Sequence, residues 1–204
     1  MIAGQGTQRF PYRIGAPGEH YVKNSLAVLA ALQALGADAM RCLPALARVS
    51  APAGRGARTL LDVADGQILL IDESYNANPA SVRAALAAMA TTPRDAFARR
   101  VAVLGDMLEL GEAAAELHSA LKEAIDAAGV DLVLACGPMM RQLFDSLAPA
   151  QQGAWAPTSH ELVPALLEAV RTGDVVMIKG SLGTRMAPLV AAMLARFGPG
   201  PAGG

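Results

Sequence analysis

The chain has 204 residues, a formal net charge of −1, 53% hydrophobic residues and only 4% aromatic residues. Its Lys and Arg residues form no runs, which excludes the strong basic field typical of nucleic-acid-binding proteins. No stretch approaches the roughly 20 apolar residues that span a bilayer, and residues 1–10 lack the features of a secretory signal. We therefore expect a cytoplasmic protein with one sizeable domain and part of another.

Two cysteines and three histidines form no metal-binding pattern. Cys42 and Cys136 lie far apart in apolar segments, which favours buried reduced thiols over a disulfide or a metal site. His20, His118 and His160 share no ligand spacing with the cysteines or with one another. We expect no metal site made by this chain alone.

The first fifty residues are predicted to contain two helices. Glycine and proline punctuate residues 1–17, which favours loop with one edge strand near 9–14. Helical spacing of apolar residues predicts a helix from 19 or 20 to 35, ended by Gly36, and a second helix over 38–48. Two such helices need a partner layer, so this segment is expected to be the end of a larger domain.

A stretch of small residues at 51–56 is the predicted interdomain linker. After it, TLLDVA and QILLID flank Asp65-Gly66, a dipeptide that predicts an antiparallel hairpin. The alternating elements that follow are helix 79–91, strand 101–104, helix 112–128, strand 132–135, helix 139–147, a weak strand 154–156, helix 160–171, strand 175–178 and helix 184–197. This alternation predicts the α/β class with a mostly parallel, doubly wound sheet. Residues 198–204 are predicted to form a disordered tail.

The stretch ILLIDESYNANPAS, residues 68–81, carries the densest group of candidate functional side chains. A buried strand is predicted to end before Asp72 and Glu73, and Asn78 to cap a helix that begins at Pro79. The loop between them would lie at the carboxyl end of a strand, where open α/β sheets bind ligands. The loops GDMLELGE, CGP and KGSLGTR are expected at the same edge. Simple turn formation is the alternative explanation for residues 72–78.

Five ordered motifs make the chain resemble the Mur ligase family. They are GEHYVKNSLAVLAALQALG at 18–36, GRG at 54–56, DESYNANPAS at 72–81, VAVLGDMLELGE at 101–112 and IKGSLGTRM at 178–186. The resemblance implies that residues 54–197 form the family's Rossmann-like C-terminal domain. It also implies that residues 1–53 are the end of the central ATP-binding domain with its linker.

The resemblance further implies an ATP-dependent amide ligase of peptidoglycan biosynthesis that works through an acyl phosphate. SYNANP and GDMLELGE favour the family member whose substrates are UDP-MurNAc-tripeptide and D-Ala-D-Ala. The family's phosphate-binding loop and most Mg²⁺ ligands lie upstream of the matching region, and the sequence contains no GxxxxGK[ST]. We therefore expect the 204 residues to be inactive alone, and monomeric.

Five residues match positions at which the family binds ATP. Asn24, with a donor and an acceptor on one side chain, suits the adenine edge, and His20 would lie near the nucleotide. Arg55, between two glycines, would approach the phosphates. Asp72 and Glu73 match the ribose-contacting carboxylates, and which of the two does so is left open.

Seven further residues are predicted to bind the other substrates. Asp106 would bind the ammonium group of the dipeptide, and the start of the last helix would bind a carboxylate. The predicted substrate-binding residues are Tyr75, Asn76, Asn78, Asp106, Lys179, Ser181 and Arg185. His118 is predicted to be an exposed helical residue, with a direct role as the alternative.

Two other functions remain open from the sequence. The chain could be a free-standing α/β module that binds a small molecule, or the third domain of a related ligase such as folylpolyglutamate synthetase. A reading frame that continues upstream into a GKT-containing domain would favour a ligase, whereas a true start at Met1 would favour the module.

Overall fold

The structure, a computed structural model, describes residues 2–5, 8–15, 19–49 and 54–198, although not the side chains of 2–5, 8–10, 19 and 20. The chain divides into two compact units, Met1–Pro52 and Ala53–Gly204. Residues 51–53 of the linker predicted over 51–56, and residues 199–204 of the tail predicted over 198–204, lie outside the described residues. No helix in the described ranges is long and apolar enough to cross a membrane.

The described residues of the first unit form a hairpin and three helices. Strands β1 (Ile2–Gln5) and β2 (Gln8–Pro11) pair antiparallel, and they precede α1 (Glu19–Ala34), a 3₁₀ helix (Ala39–Cys42) and α2 (Leu43–Leu46). The single edge strand predicted over 9–14 is thus a two-stranded hairpin, and the helix predicted over 38–48 is shorter and partly 3₁₀. Only Tyr12 and Leu29 form the buried apolar core among this unit's described side chains.

The second unit alternates strands and helices, as predicted. Its strands are β3 (Ala57–Val63), β4 (Gly66–Glu73), β5 (Arg99–Gly105), β6 (Leu132–Cys136), β7 (Gln152–Ala156) and β8 (Asp174–Lys179). Its α-helices are α3 (Pro79–Ala90), α4 (Ala114–Ser119), α5 (Leu121–Ala127), α6 (Pro138–Ser146), α7 (Ser159–Ala169) and α8 (Ala187–Phe197). Short 3₁₀ turns, Gly111–Ala113 and Leu182–Thr184, precede α4 and α8.

The six strands form one sheet in the order β3-β4-β8-β5-β6-β7. Strands β4, β8, β5, β6 and β7 are parallel to one another, and β3 pairs antiparallel with β4 at the edge of the sheet. This arrangement confirms the predicted mostly parallel α/β fold. Because the strands are parallel, the ends of β4, β8, β5 and β6 lie at one edge of the sheet.

Alternate strand residues supply two cores, one on each face of the sheet. On β4, Leu69 and Ile71 belong to the core that contains buried residues of α3, α5 and α6, whereas Ile68 and Leu70 belong to the core that contains buried residues of α7 and α8. This alternation follows from the two-residue period of a strand. Covering both faces explains why the central strands read as continuous apolar runs.

Two local predictions differ from the structure. The β3–β4 register pairs Val63 with Gly66, so the two-residue loop is Ala64-Asp65 and not Asp65-Gly66. Gly66 has φ +138°, and a Cβ there would lie 2.8 Å from Thr172 Cγ2, which accounts for glycine as the first residue of β4. The helix predicted over 112–128 is a 3₁₀ turn followed by α4 and α5, which are separated at Ala120.

Candidate functional site

Three loops at the carboxyl edge of the sheet are tied together through Ser181. Its backbone N–H donates to the carbonyl of Asp106 (3.1 Å), and its hydroxyl donates to the carbonyl of Ala77 (3.1 Å). The same hydroxyl oxygen accepts a hydrogen bond from Leu108 N (2.9 Å). Ser181 is buried, so these bonds hold the loops after β4, β5 and β8 as one surface.

Lys179 links the loop after β4 to the end of β8. Its Nζ donates to the carbonyl of Asn76 (2.9 Å) and lies 3.4 Å from Glu73 Oε2, and the residue is only 3% exposed. Burial lowers the pKa of Lys179, although the neighbouring Glu73 carboxylate acts in the opposite direction. Lys179 therefore orders the loop and holds Glu73, and any contact of its own with a substrate stays a prediction.

Asp72 anchors the segment that enters β3. Its Oδ2 accepts from Gly54 N (2.9 Å) and its Oδ1 from Ser74 N (3.0 Å), while its carbonyl accepts from Gly56 N (2.8 Å). Gly54 has φ +76°, and a Cβ there would lie 2.8 Å from Tyr75 Cβ, so only glycine fits this crossing. Both carboxylate oxygens of Asp72 thus already accept backbone hydrogen bonds.

Arg55 and Tyr75 are brought together by that crossing. The Arg55 guanidinium lies 4.2 Å from the centroid of the Tyr75 ring, and both residues are exposed. Tyr75 N donates to the Gly54 carbonyl (3.1 Å), which fixes the ring beside the glycine-rich segment. A planar guanidinium can stack face to face on an aromatic ring, and this contact places Arg55 over Tyr75.

Asp106 lies at the amino end of α6. Its oxygens accept from Met139 N (3.2 Å) and Met140 N (2.8 Å), and the residue is 3% exposed. The approach is so close that a Cβ on Gly137, which has φ +101°, would overlap the carboxylate. Asp106 thereby satisfies backbone donors at a helix start. Ammonium binding by this residue stays a prediction, and it would have to coexist with these bonds.

The prediction that His118 is an exposed residue is wrong, because its side chain is fully buried. Its Nε2 accepts a hydrogen bond from Met107 N (2.9 Å), so Nδ1 carries the proton and donates to the Ala114 carbonyl (2.6 Å). His118 therefore holds the loop after β5 against α4. The sequence pattern missed this because the pairing joins a helix to a loop eleven residues away.

The remaining predicted substrate residues are placed as follows. Asn78 caps α3, with its Oδ1 accepting from Ser81 N (2.8 Å), as predicted, and Asn76 Oδ1 accepts from Ala77 N (2.9 Å). Arg185 is exposed and has φ +52°, before α8. The Arg185 side chain is thus exposed to solvent, whereas the side-chain oxygens of the two asparagines accept backbone hydrogen bonds within their own loop.

In the first unit, Asn24 is exposed on α1. His20 belongs to α1, but its side chain lies outside the described residues. Their predicted roles toward the nucleotide stay predictions. Across the part of the chain with described side chains, no group of three His, Cys, Asp or Glu residues could hold a metal ion.

The family of Mur ligase glutamate ligase domains matches residues 59–182. The Escherichia coli K12 UDP-N-acetylmuramoyl-tripeptide–D-alanyl-D-alanine ligase is 33% identical over 177 residues, covering 87% of this chain and 37% of the relative. The Mycobacterium tuberculosis H37Rv enzyme of the same name is 31% identical over 202 residues, covering 90% of this chain and 39% of the relative. The chain therefore spans less than two fifths of the length of these relatives.

Solved structures share the fold. A MurF structure from Acinetobacter baumannii has a TM-score of 0.73 at 26% identity and covers 91% of this chain and 40% of its own. The MurF ligase from Thermotoga maritima in complex with ADP has a TM-score of 0.68 at 24% identity, covering 90% and 40% of the two chains. The domain match, the similar relatives and the shared fold together show that this chain belongs to the Mur ligase family.

Proposed function

We propose that the chain is the C-terminal portion of an ATP-dependent amide ligase that adds D-Ala-D-Ala to UDP-MurNAc-tripeptide. The observation that carries the proposal is the tying of three motif-bearing loops into one surface through Ser181. The names of the relatives at 31% and 33% identity supply the substrates. The proposal also includes a cytoplasmic location, because the proposed reaction consumes ATP and a UDP-linked precursor and would take place where both are present.

Within this enzyme, the surface near Gly54 would face the nucleotide. Asp72 Oδ1 and Oδ2 each already accept a backbone N–H, whereas Glu73 Oε1 accepts no hydrogen bond within the described part of the chain. Glu73 is therefore the better candidate for a ribose hydroxyl, with Lys179 holding its other oxygen. Asp72 would act indirectly by positioning Arg55, whose stacked guanidinium would meet a phosphate.

The second part of the surface, from the loops after β5 and β8, would hold the amine substrate. An amide ligase must bring the amine and the acyl phosphate into contact while excluding water. The buried bonds of Ser181 and His118 keep these loops ordered before substrate arrives, which reduces the entropy lost on binding. The phosphate-binding loop and most of the Mg²⁺ ligands of such an enzyme are proposed to lie in residues outside this chain.

The proposal is tested by expressing the complete reading frame that contains this sequence. With ATP, Mg²⁺, UDP-MurNAc-tripeptide and D-Ala-D-Ala, mass spectrometry should detect the amide-linked pentapeptide product. Replacing D-Ala-D-Ala with glutamate, and the precursor with a folate, should yield no product. A reading frame that starts at Met1, or product formation only with the folate, would reject the proposed function in favour of the binding module or the related ligase.

The nucleotide role is tested in the same protein. We expect Glu73→Gln to raise the KM for ATP roughly tenfold, the equivalent of about 1.4 kcal/mol for a hydrogen bond to a charged acceptor. Asp62→Asn, an exposed carboxylate on β3, is the matched control. Unchanged ATP kinetics in a Glu73→Gln, Asp72→Asn double variant would remove both residues from the nucleotide site.

A further inference from the structure

The ends of β5 and β8 place two loops side by side. The strands are parallel neighbours, with Leu104 paired to Lys179. Leu108 N bonds to Ser181 Oγ, and a Cβ on Gly183 would lie only 2.6 Å from Leu108 Cδ1. The loops at 105–110 and 180–186 therefore touch and form one continuous surface.

Each of these loops holds one residue in a left-handed backbone conformation. Across the described residues, the only non-glycine residues with positive φ are Glu109 (φ +63°) and Arg185 (φ +52°). Such a conformation costs roughly 1–2 kcal/mol for a residue with a Cβ and tends to occur at functional sites. Glycine would avoid this cost at both positions, so the choice of Glu and Arg indicates a use for their side chains.

The two side chains carry opposite charges and are exposed. Within the described chain neither forms an ion pair or a side-chain hydrogen bond, whereas their charged neighbours Asp106 and Lys179 are buried and bonded. The Glu109 carboxylate and the Arg185 guanidinium are therefore accessible to a ligand. Glu112, three residues after Glu109 and also exposed, lies in the first turn of a 3₁₀ helix, where its charge has a structural explanation.

Apolar side chains accompany the two charges. Leu108 is 44% exposed and adjoins Glu109, and Leu182 is 63% exposed in the loop that leads to Arg185. A carboxylate and a guanidinium group next to apolar side chains complement a short zwitterion that has small apolar side chains. The acid would accept the ammonium group, and the planar guanidinium would bind the carboxylate through two parallel hydrogen bonds.

We propose that Glu109 and Arg185 form a clamp for the amine substrate, in which Glu109 binds the ammonium group and Arg185 the carboxylate of an alanine dipeptide. This inference rests on the proposed function for the identity of the dipeptide. It assigns the ammonium group to Glu109, whereas the sequence alone favoured Asp106. Glu109 acts as a binding residue before the amine loses its proton for the reaction.

Binding to the 204-residue chain tests the clamp without requiring turnover. Amide shifts in two-dimensional NMR are followed with D-Ala-D-Ala, with N-acetyl-D-Ala-D-Ala, which lacks the ammonium group, and with D-alanyl-D-alaninamide, which lacks the carboxylate. We expect the dipeptide to perturb residues 108–110 and 182–186. We also expect each blocked ligand to bind roughly tenfold more weakly, as for the loss of one charged contact.

Variants distinguish a binding role from a structural one. Glu109→Gln should abolish the preference for the dipeptide over its N-acetyl form, and Arg185→Gln should abolish the preference over the amide. Glu109→Gly should raise the unfolding midpoint, because it relieves the left-handed conformation, yet still weaken dipeptide binding. Glu112→Gln is the matched control and should bind like the wild type.

The clamp is overturned if the chain shows no dipeptide-induced shifts in these loops at millimolar ligand, or if Glu109→Gln and Arg185→Gln bind all three ligands like the wild type. Loss of binding in Glu112→Gln as well would indicate a general charge effect and would also overturn it. Failure of the longer enzyme to ligate would reject the proposed function separately, because the NMR experiment measures binding alone.

Discussion

Removing the Asp106 carboxylate should destabilise the α/β unit. Its two oxygens accept from Met139 N and Met140 N at 3.2 and 2.8 Å in a site that is 3% exposed. Hydrogen bonds to charged groups contribute roughly 1.5–3 kcal/mol each, and neighbouring bonds are not fully additive. We therefore expect Asp106→Ala to lower the free energy of unfolding by roughly 2–4 kcal/mol. Asp106→Asn, which keeps one acceptor oxygen, should lose roughly half as much.

Urea unfolding followed by far-ultraviolet circular dichroism measures this change. Asp145→Ala, which removes an exposed carboxylate paired with Arg141 near the end of the same helix, is the control and should cost at most about 0.5 kcal/mol. An Asp106→Ala variant that is as stable as this control would refute the capping role. If it were stable yet lost dipeptide binding, the residue would belong to the ligand site instead.

Three further predictions concern other buried groups. Arg99→Met should lower the free energy of unfolding by roughly 3–5 kcal/mol, because it leaves the fully buried Asp174 carboxylate without its 2.7 Å partner. The control is Lys122→Met, which breaks an exposed ion pair and should lower it by at most about 0.5 kcal/mol in the same urea assay. Burial raises the pKa of the Cys136 thiol to about 12, so a thiol reagent at pH 8 should label it only after unfolding, and the thiol's contribution to stability should be lost between pH 9 and 12. Burial lowers the pKa of Lys179, so at pH values just below the ordinary value of 10.5 the unfolded state binds more protons than the folded state. The unfolding free energy of the wild type, measured relative to Lys179→Met, should therefore rise with pH in this range. A fall with pH would contradict this prediction.

Much of the second unit could be predicted from local sequence. Its strands are apolar runs bounded by polar or glycine residues, and the Asn78-Pro79 start of α3 follows from capping chemistry alone. The errors were local and arose where distant residues intervene. At Gly66, the first residue of β4, a Cβ would lie 2.8 Å from Thr172 Cγ2. The carbonyl of Ala120, where the predicted helix divides, accepts a hydrogen bond from Arg83.

The roles of individual polar residues were less accessible from the sequence. The sequence predicts ligand binding by Asp72, Asp106, Lys179 and Ser181 from the family resemblance and from their positions at strand ends and helix starts. The structure shows each of them bonded within the protein, to groups that lie between 2 and 106 positions away. A sequence pattern can locate the surface, but only the fold determines which side chains are used to build it. The left-handed conformation of Glu109 is likewise invisible in the sequence.

The most direct test of the proposed ligase is the rate of ADP release, measured side by side for the product of the complete reading frame and for the 204-residue chain. The longer protein should release ADP only when ATP, UDP-MurNAc-tripeptide and D-Ala-D-Ala are all present. The 204-residue chain should release none, because it contains no phosphate-binding GxxxxGK[ST] loop to stabilise phosphoryl transfer. ADP release by the 204-residue chain, or release by the longer protein that does not depend on D-Ala-D-Ala, would contradict the proposed function.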